Sequence, residues 1–203
     1  MTVRPTTPAQ AIAELRAGNE RFVSGTAKHP NQDADHRAAL ARTQTPFAVI
    51  FGCSDSRLAA EIIFDQGLGD LFVVRTAGHT AGAGVLGSIE YAVTILNTPL
   101  VVVLGHNSCG AVRAACDAVA TGDTPSGFLG TVVDAVVPSV QHAMSQQVHD
   151  VDEIVDIHTQ RTVGQLVRLS DKLAKAVTEG RCAVVGMSYQ LSDGKARLLT
   201  PAS

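Results

Sequence analysis

Four stretches of this chain are apolar almost without interruption: residues 47–51, 71–74, 100–104 and 183–187. Continuous hydrophobicity over four or five positions, rich in Val, Ile and Phe, predicts strands covered on both faces. Between them the pattern changes to a helical period. Residues 8–23 place Ile12, Leu15, Asn19 and Phe22 near one stripe, with Gly25 beyond the end. A helix is expected over 33–43, stopping ahead of Pro46, and a short one over 59–66, ended by Gly67. Gly78, Gly82, Gly84 and Gly87 mark a loop that turns helical near position 85 and runs to 96. Another helix follows from 109 to about 122, and 128–178 has a helical pattern interrupted at Pro138. Asp193-Gly194 predicts a hairpin turn into a short antiparallel strand over 196–199. The stripe on the first helix is narrow and precedes the first strand, so it is expected to pack on a partner subunit.

Strands alternating with helices predict a parallel sheet with right-handed crossovers. The expected fold class is α/β, a mostly parallel sheet in the order 2-1-3-4 with strand five antiparallel at the edge, flanked by helices. It is read as one domain over 1–203, with an N-terminal helical arm (1–45) and an α/β core (46–203). Such sheets bind ligands beyond the carboxyl ends of strands, where the strand order reverses. In this order that point lies between strands one and three.

Composition narrows the possibilities. Net charge is −3, from 16 Lys+Arg against 19 Asp+Glu, and the basic residues are scattered. No basic stripe exists for a nucleic acid. No stretch reaches the roughly 18 apolar residues of a spanning helix. Met1-Thr2-Val3-Arg4-Pro5 leads into a charged amphipathic segment and not an apolar signal core, so a soluble, cytoplasmic protein without membrane or nucleic-acid partners is expected. Four cysteines are too few for a disulfide framework. Cys116 and Cys182 read as small buried hydrophobes.

The other two cysteines carry the chemistry. Cys53-Ser54-Asp55-Ser56-Arg57 follows the first apolar run, and His106-Asn107-Ser108-Cys109 follows the third. Two thiols and one imidazole form a donor set that suits zinc, with the fourth position left to water or to Asp55. Alone, each segment is most simply a capping or buried thiol beside a hydrogen-bonded histidine; their occurrence at two strand ends favours a metal. Arg57 can clamp Asp55 through a bidentate pair and depress its pKa. His79 is expected to be a solvent-facing loop residue, and His29, His36, His142, His149 and His158 are assigned nothing.

With these residues in place, the sequence resembles the β-class carbonic anhydrases over almost its whole length. The resemblance is carried by Cys53–Arg57, by Phe72-Val73-Val74-Arg75-Thr76-Ala77-Gly78, by Ser88-Ile89-Glu90-Tyr91, and by Gly105-His106-Asn107-Ser108-Cys109-Gly110-Ala111. It implies one zinc held by Cys53, His106 and Cys109, with Asp55 either the dyad partner of Arg57 or a fourth ligand. The implied reaction is reversible hydration of CO₂ to bicarbonate and a proton by hydroxide on the metal. The implied substrate cleft lies at a dimer interface and comprises Gln44, Phe72, Ala77, Tyr91 and the backbone amide of Gly110. A homodimer or dimer of dimers follows. One subgroup builds a non-catalytic bicarbonate pocket on a tryptophan three residues before the first zinc cysteine; here that position is Ile50, so this pocket is not expected. Two other functions compete: hydrolysis of a CO₂ isostere such as carbonyl sulfide or carbon disulfide, and a non-catalytic, closed zinc site.

Overall fold

The computed structural model describes residues 4–199, so the outermost residues of the expected 1–203 domain, including Met1-Thr2-Val3, lie outside it. Five strands form one sheet in the order β2-β1-β3-β4-β5. They are β1 (Ala48–Cys53), β2 (Leu71–Thr76), β3 (Leu100–His106), β4 (Ala183–Tyr189) and β5 (Ala196–Leu198). The first three pairings are parallel and β4–β5 is antiparallel, as the pattern predicts. Every residue of β1 and β3 is buried.

Alternation along those central strands divides the core. Ile50, Leu100, Val102 and Leu104 face Leu15, Ile63, Val112, Val133 and Ile154. Val49, Phe51, Val101 and Val103 face the opposite way, onto Val85, Ile89, Leu166 and Leu173. Full burial of such side chains stabilises by about 1.5–3 kcal/mol each. The first layer is supplied by α1 (Pro8–Val23), α3 (Ala60–Ile63), α5 (Gly110–Thr121) and α6 (Phe128–Ser145), and the second by α4 (Ala83–Thr94) and α8 (Asp171–Thr178). Helix α7 (Val151–Leu169) contributes to both.

Three expectations change. The strands outlast their apolar runs, because ladder pairing continues through Cys53↔Thr76 and His106↔Tyr189. Cys53 and His106 are therefore the last paired residues of their strands, at the strand ends where they were expected. Secondly, Pro138 lies inside α6 and does not end it. A proline forfeits one helix hydrogen bond, but the helix continues past it, with Val133, Val136, Val140 and Ala143 wholly buried on either side. The breaks fall instead before α7, capped by Asp150, and before α8, capped by Ser170.

The third change concerns α1. Its stripe, expected to rest on a partner subunit, is packed within the chain. Ala11 and Leu15 are fully buried, and Gly18 lies so close that a Cβ would stand 1.8 Å from the Phe64 carbonyl oxygen. Asn19 donates to the carbonyls of Ile63 and Gly194 and accepts from the Ala196 N–H. Arg21 then pairs with buried Asp65 at 2.5 Å. The expected 33–43 helix is α2 (Ala34–Ala39) and a 3-10 turn, Leu40–Arg42. Among the described residues no helix is long and apolar enough to cross a membrane.

Candidate metal centre

Cys53 is the last residue of β1 and His106 the last of β3, so strand adjacency alone brings them together. Cys109 is the N-cap residue of α5 and is buried. The turn between them needs Ser108 at a positive φ of 54°, an uncommon conformation for a non-glycine residue. It is held from three sides. Asp152 accepts the Ser108 N–H at 2.7 Å, Asn107 Oδ1 accepts the Leu191 N–H at 2.8 Å, and the Asn107 N–H donates to Tyr189.

The donor atoms of Cys53, His106 and Cys109 all lie within 4.8 Å of one another, and all three residues are buried. His106 Nδ1 is 2.9 Å from the Asn107 carbonyl, which fixes the hydrogen on that nitrogen. Nε2 keeps its lone pair, is buried, and has no hydrogen-bond partner among the described residues. Hydrogen bonding from the Cys109 thiol and the Gly78 N–H draws the Cys53 pKa down, while the same contact with Cys53 pushes Cys109 up. Two buried cysteine sulfurs beside an unpartnered imidazole nitrogen form a donor set that fits zinc.

Asp55 does not join this group. Arg57 Nε reaches Oδ1 at 2.9 Å, Nη2 reaches Oδ2 at 2.7 Å, and the Arg57 backbone N–H adds a bond to Oδ1 at 2.9 Å. The guanidinium holds the Asp55 carboxyl well below the usual carboxylate range. In this conformation both Asp55 carboxylate oxygens are bonded by Arg57, and Asp55 is not among the grouped donor atoms.

Several supporting residues were given no supporting role by the sequence. Arg75, at the end of β2, donates to the carbonyls of Cys53 (2.9 Å) and Asp55 (2.6 Å), fixing the backbone on both sides of Ser54. The Gly78 N–H donates to Cys53 Sγ at 3.3 Å. His79 is fully buried, contrary to its expected exposure: its ring lies 4.5 Å from that of His158 and edge-on to Phe51. Desolvation pushes its pKa well down, so it is neutral.

The expected cleft residues separate into two sets. Ala77 and Gly110 are exposed beside the cluster, next in sequence to Gly78 and Cys109. Phe72 and Tyr91 touch each other, with ring centroids 6.3 Å apart, but are displaced from it. Phe72 pairs with Val49, four positions before the Cys53↔Thr76 pair, or roughly 13 Å along the strand. Gln44 is exposed in the loop ahead of β1, at the amino end of the strand whose carboxyl end carries Cys53.

Comparison with known proteins agrees with this geometry. The family model described as carbonic anhydrase matches residues 48–196. Carbonic anhydrase 2 of Mycobacterium tuberculosis is 55% identical over 193 residues, spanning 95% of this chain and 93% of that protein. Among solved structures, the β-carbonic anhydrase CafA of Aspergillus fumigatus matches with a TM-score of 0.73 at 25% identity, covering 95% of this chain and 92% of that one. Two tetrameric β-carbonic anhydrases from Sordaria macrospora are represented by a match of TM-score 0.73 at 22% identity, covering 90% and 93%. With its β1 and β3 ends supplying two thiols and an imidazole, the chain belongs to the β-class carbonic anhydrase family.

Proposed function

We propose that this chain is a zinc-dependent carbonic anhydrase, a lyase that reversibly hydrates CO₂ to bicarbonate and a proton. The observation that carries the reading is the buried Cys53–His106–Cys109 group with Asp55 turned away into the Arg57 clamp. Cys53, His106 and Cys109 would hold one zinc per chain. Zinc bound there acidifies water, so a hydroxide nucleophile is available near neutral pH. Asp55, fixed by two nitrogens of Arg57, would accept a hydrogen bond from such a hydroxide and so orient it toward the substrate carbon. Water and CO₂ would together give bicarbonate, and the single proton released, that lost when the water ionises, would pass to solvent. Gly110 is the first residue of α5, so its N–H stands at the positive end of that helix and suits an oxygen gaining charge.

The placement of Gln44, Phe72 and Tyr91 away from their own cluster supports a cleft shared between subunits. In this reading a homodimer, or a dimer of dimers, brings these three residues to the partner's zinc site while Ala77 and Gly110 serve their own. Residues 1–203 would act as one domain, with 1–45 as an arm on the 46–203 core. Four free cysteines suit the reducing cytoplasm.

Stopped-flow hydration of CO₂ by zinc-loaded protein tests the function. Activity is expected, rising from pH 6.5 to 9 as water deprotonates, whereas Cys109→Ala loses both metal, by elemental analysis, and turnover. Zinc at full occupancy in that variant, or a flat pH profile, would overturn the assignment.

A further inference from the structure

His158 stands on α7, 80 positions from the loop it serves. Its Nε2 is 2.9 Å from the Gly78 carbonyl oxygen. A carbonyl only accepts, so Nε2 carries the hydrogen, and Nδ1 is left to receive the Ser139 hydroxyl at 2.9 Å. Gly78 in turn directs its own N–H at Cys53 Sγ, 3.3 Å away. Ser139 and His158 are 5% and 3% exposed, so neither bond is shared with solvent.

The segment that His158 grips would not hold this shape unaided. Gly78 and His79 are both left-handed, at φ 62° and 40°. Glycine adopts that region freely, but histidine does not, at a cost of roughly 1–2 kcal/mol. A Cβ at Gly78 would meet the Ala111 Cβ at 2.8 Å, so the turn is also pressed against α5. A tie from α7 to the carbonyl between these two residues is what fixes where the preceding N–H points. An apolar side chain could fill the same volume without making either bond.

We propose that Ser139 and His158 are positioning residues for the zinc site, acting through Gly78 to hold its N–H on the Cys53 sulfur. This rests on Cys53 being a zinc ligand. A hydrogen bond to a thiolate fixes the direction of its lone pairs and draws electron density from sulfur, which weakens its donation to a bound metal. Outer residues of this kind commonly govern metal affinity by ten- to a hundred-fold. Histidine ligands have their second nitrogen tied down in this way, as His106 has by Asn107; here the tied ligand is a cysteine.

Cobalt-exchanged protein provides a readout independent of turnover, since the thiolate-to-cobalt charge-transfer band reports how strongly sulfur donates. His158→Ala is expected to shift that band to longer wavelength and to weaken zinc about tenfold or more in competition with a chelator. His158→Gln places an amide N–H where Nε2–H stands and should restore most of both. Ser139→Ala, which removes only the hydroxyl that fixes the tautomer, should move both readouts the same way by less, and it decides the matter if His158→Ala does not fold. Unchanged band and affinity in these variants, or equal losses in His158→Ala and His158→Gln, would overturn the proposal. A wild-type protein with no thiolate-to-cobalt band would instead overturn the ligand assignment itself.

Discussion

At the scale of single residues, charge placement decides what each group does. Arg57 grips Asp55 side-on, and a lysine could not hold both carboxylate oxygens in one plane. Arg57→Ala and Arg57→Lys should therefore keep fold and zinc yet lose most CO₂ hydration, and a crystal structure of either should show an Asp55 oxygen at roughly 2.0–2.2 Å from zinc. Near-normal turnover in both would remove the dyad from the mechanism. Asp65 is the structural counterpart. Burial pushes its carboxyl up, but Arg21 and the N–H groups of Lys28 and His29 more than offset this and leave it below the usual range. A folded-state pKa that is depressed contributes stability above the unfolded carboxyl value of about 3.9, and that stability is lost as pH falls below it. Asp65→Asn is expected to cost roughly 2–3 kcal/mol in denaturant unfolding at pH 7, with the difference from wild type shrinking as pH falls below about 4. The reactive groups Cys53, Asp55, Arg57, His106 and Cys109 were all legible in the sequence, because side-chain type and strand-end position announce them. The roles of Arg75, Ser139, His79 and His158 were not. Their partners are main-chain atoms or residues far along the chain, and no local pattern encodes a carbonyl that happens to face them.

At the scale of elements, apolar runs located all four parallel strands but not their ends. The last residues of β1, β2, β3 and β4 are held by ladder pairing and not by hydrophobicity, so the pattern stops short of Cys53 and His106. Local propensity also misjudged Pro138. That residue leaves the helix carbonyl four positions earlier without its usual donor, and tertiary burial of the adjacent valines outweighs the loss. Pro138→Ala should accordingly raise stability by roughly 1–3 kcal/mol, seen as a higher midpoint in thermal unfolding. A lower midpoint would mean that the proline shapes the packing of α6 on α5 and is not merely tolerated. Helix α1 teaches the converse: its stripe was correctly found, but a stripe does not say whose surface it covers, and Asn19 and Gly18 turn out to dock it on α3 and on the turn before β5.

At the scale of the whole molecule, the sheet separates the aromatic pair Phe72–Tyr91 from the Cys53–His106–Cys109 group. β2 is an edge strand, so Phe72 and Tyr91 lie at the molecule's flank, while the zinc donors occupy its centre. Sedimentation should find no active monomer. If Gln44 serves the neighbouring subunit, Gln44→Ala and Cys109→Ala chains, each impaired alone, should regain activity when co-expressed, since a mixed dimer contains one intact site. No recovery in the mixed dimer would assign Gln44 elsewhere. The same central placement has a consequence for biogenesis. Cys53 ends β1, whereas His106 and Cys109 lie at and just beyond the end of β3, with all of β2 and α4 between them in the chain. A growing polypeptide therefore offers a lone thiol for more than fifty residues of synthesis before the other two donors exist. Metal captured early meets an incomplete chelate and is easily surrendered to competing thiols; metal captured late locks the β1–β3 seam, adding about 4 kcal/mol when free zinc stands a thousandfold above its dissociation constant. Zinc supply during translation should then govern how much protein matures, independently of how fast the finished enzyme turns over.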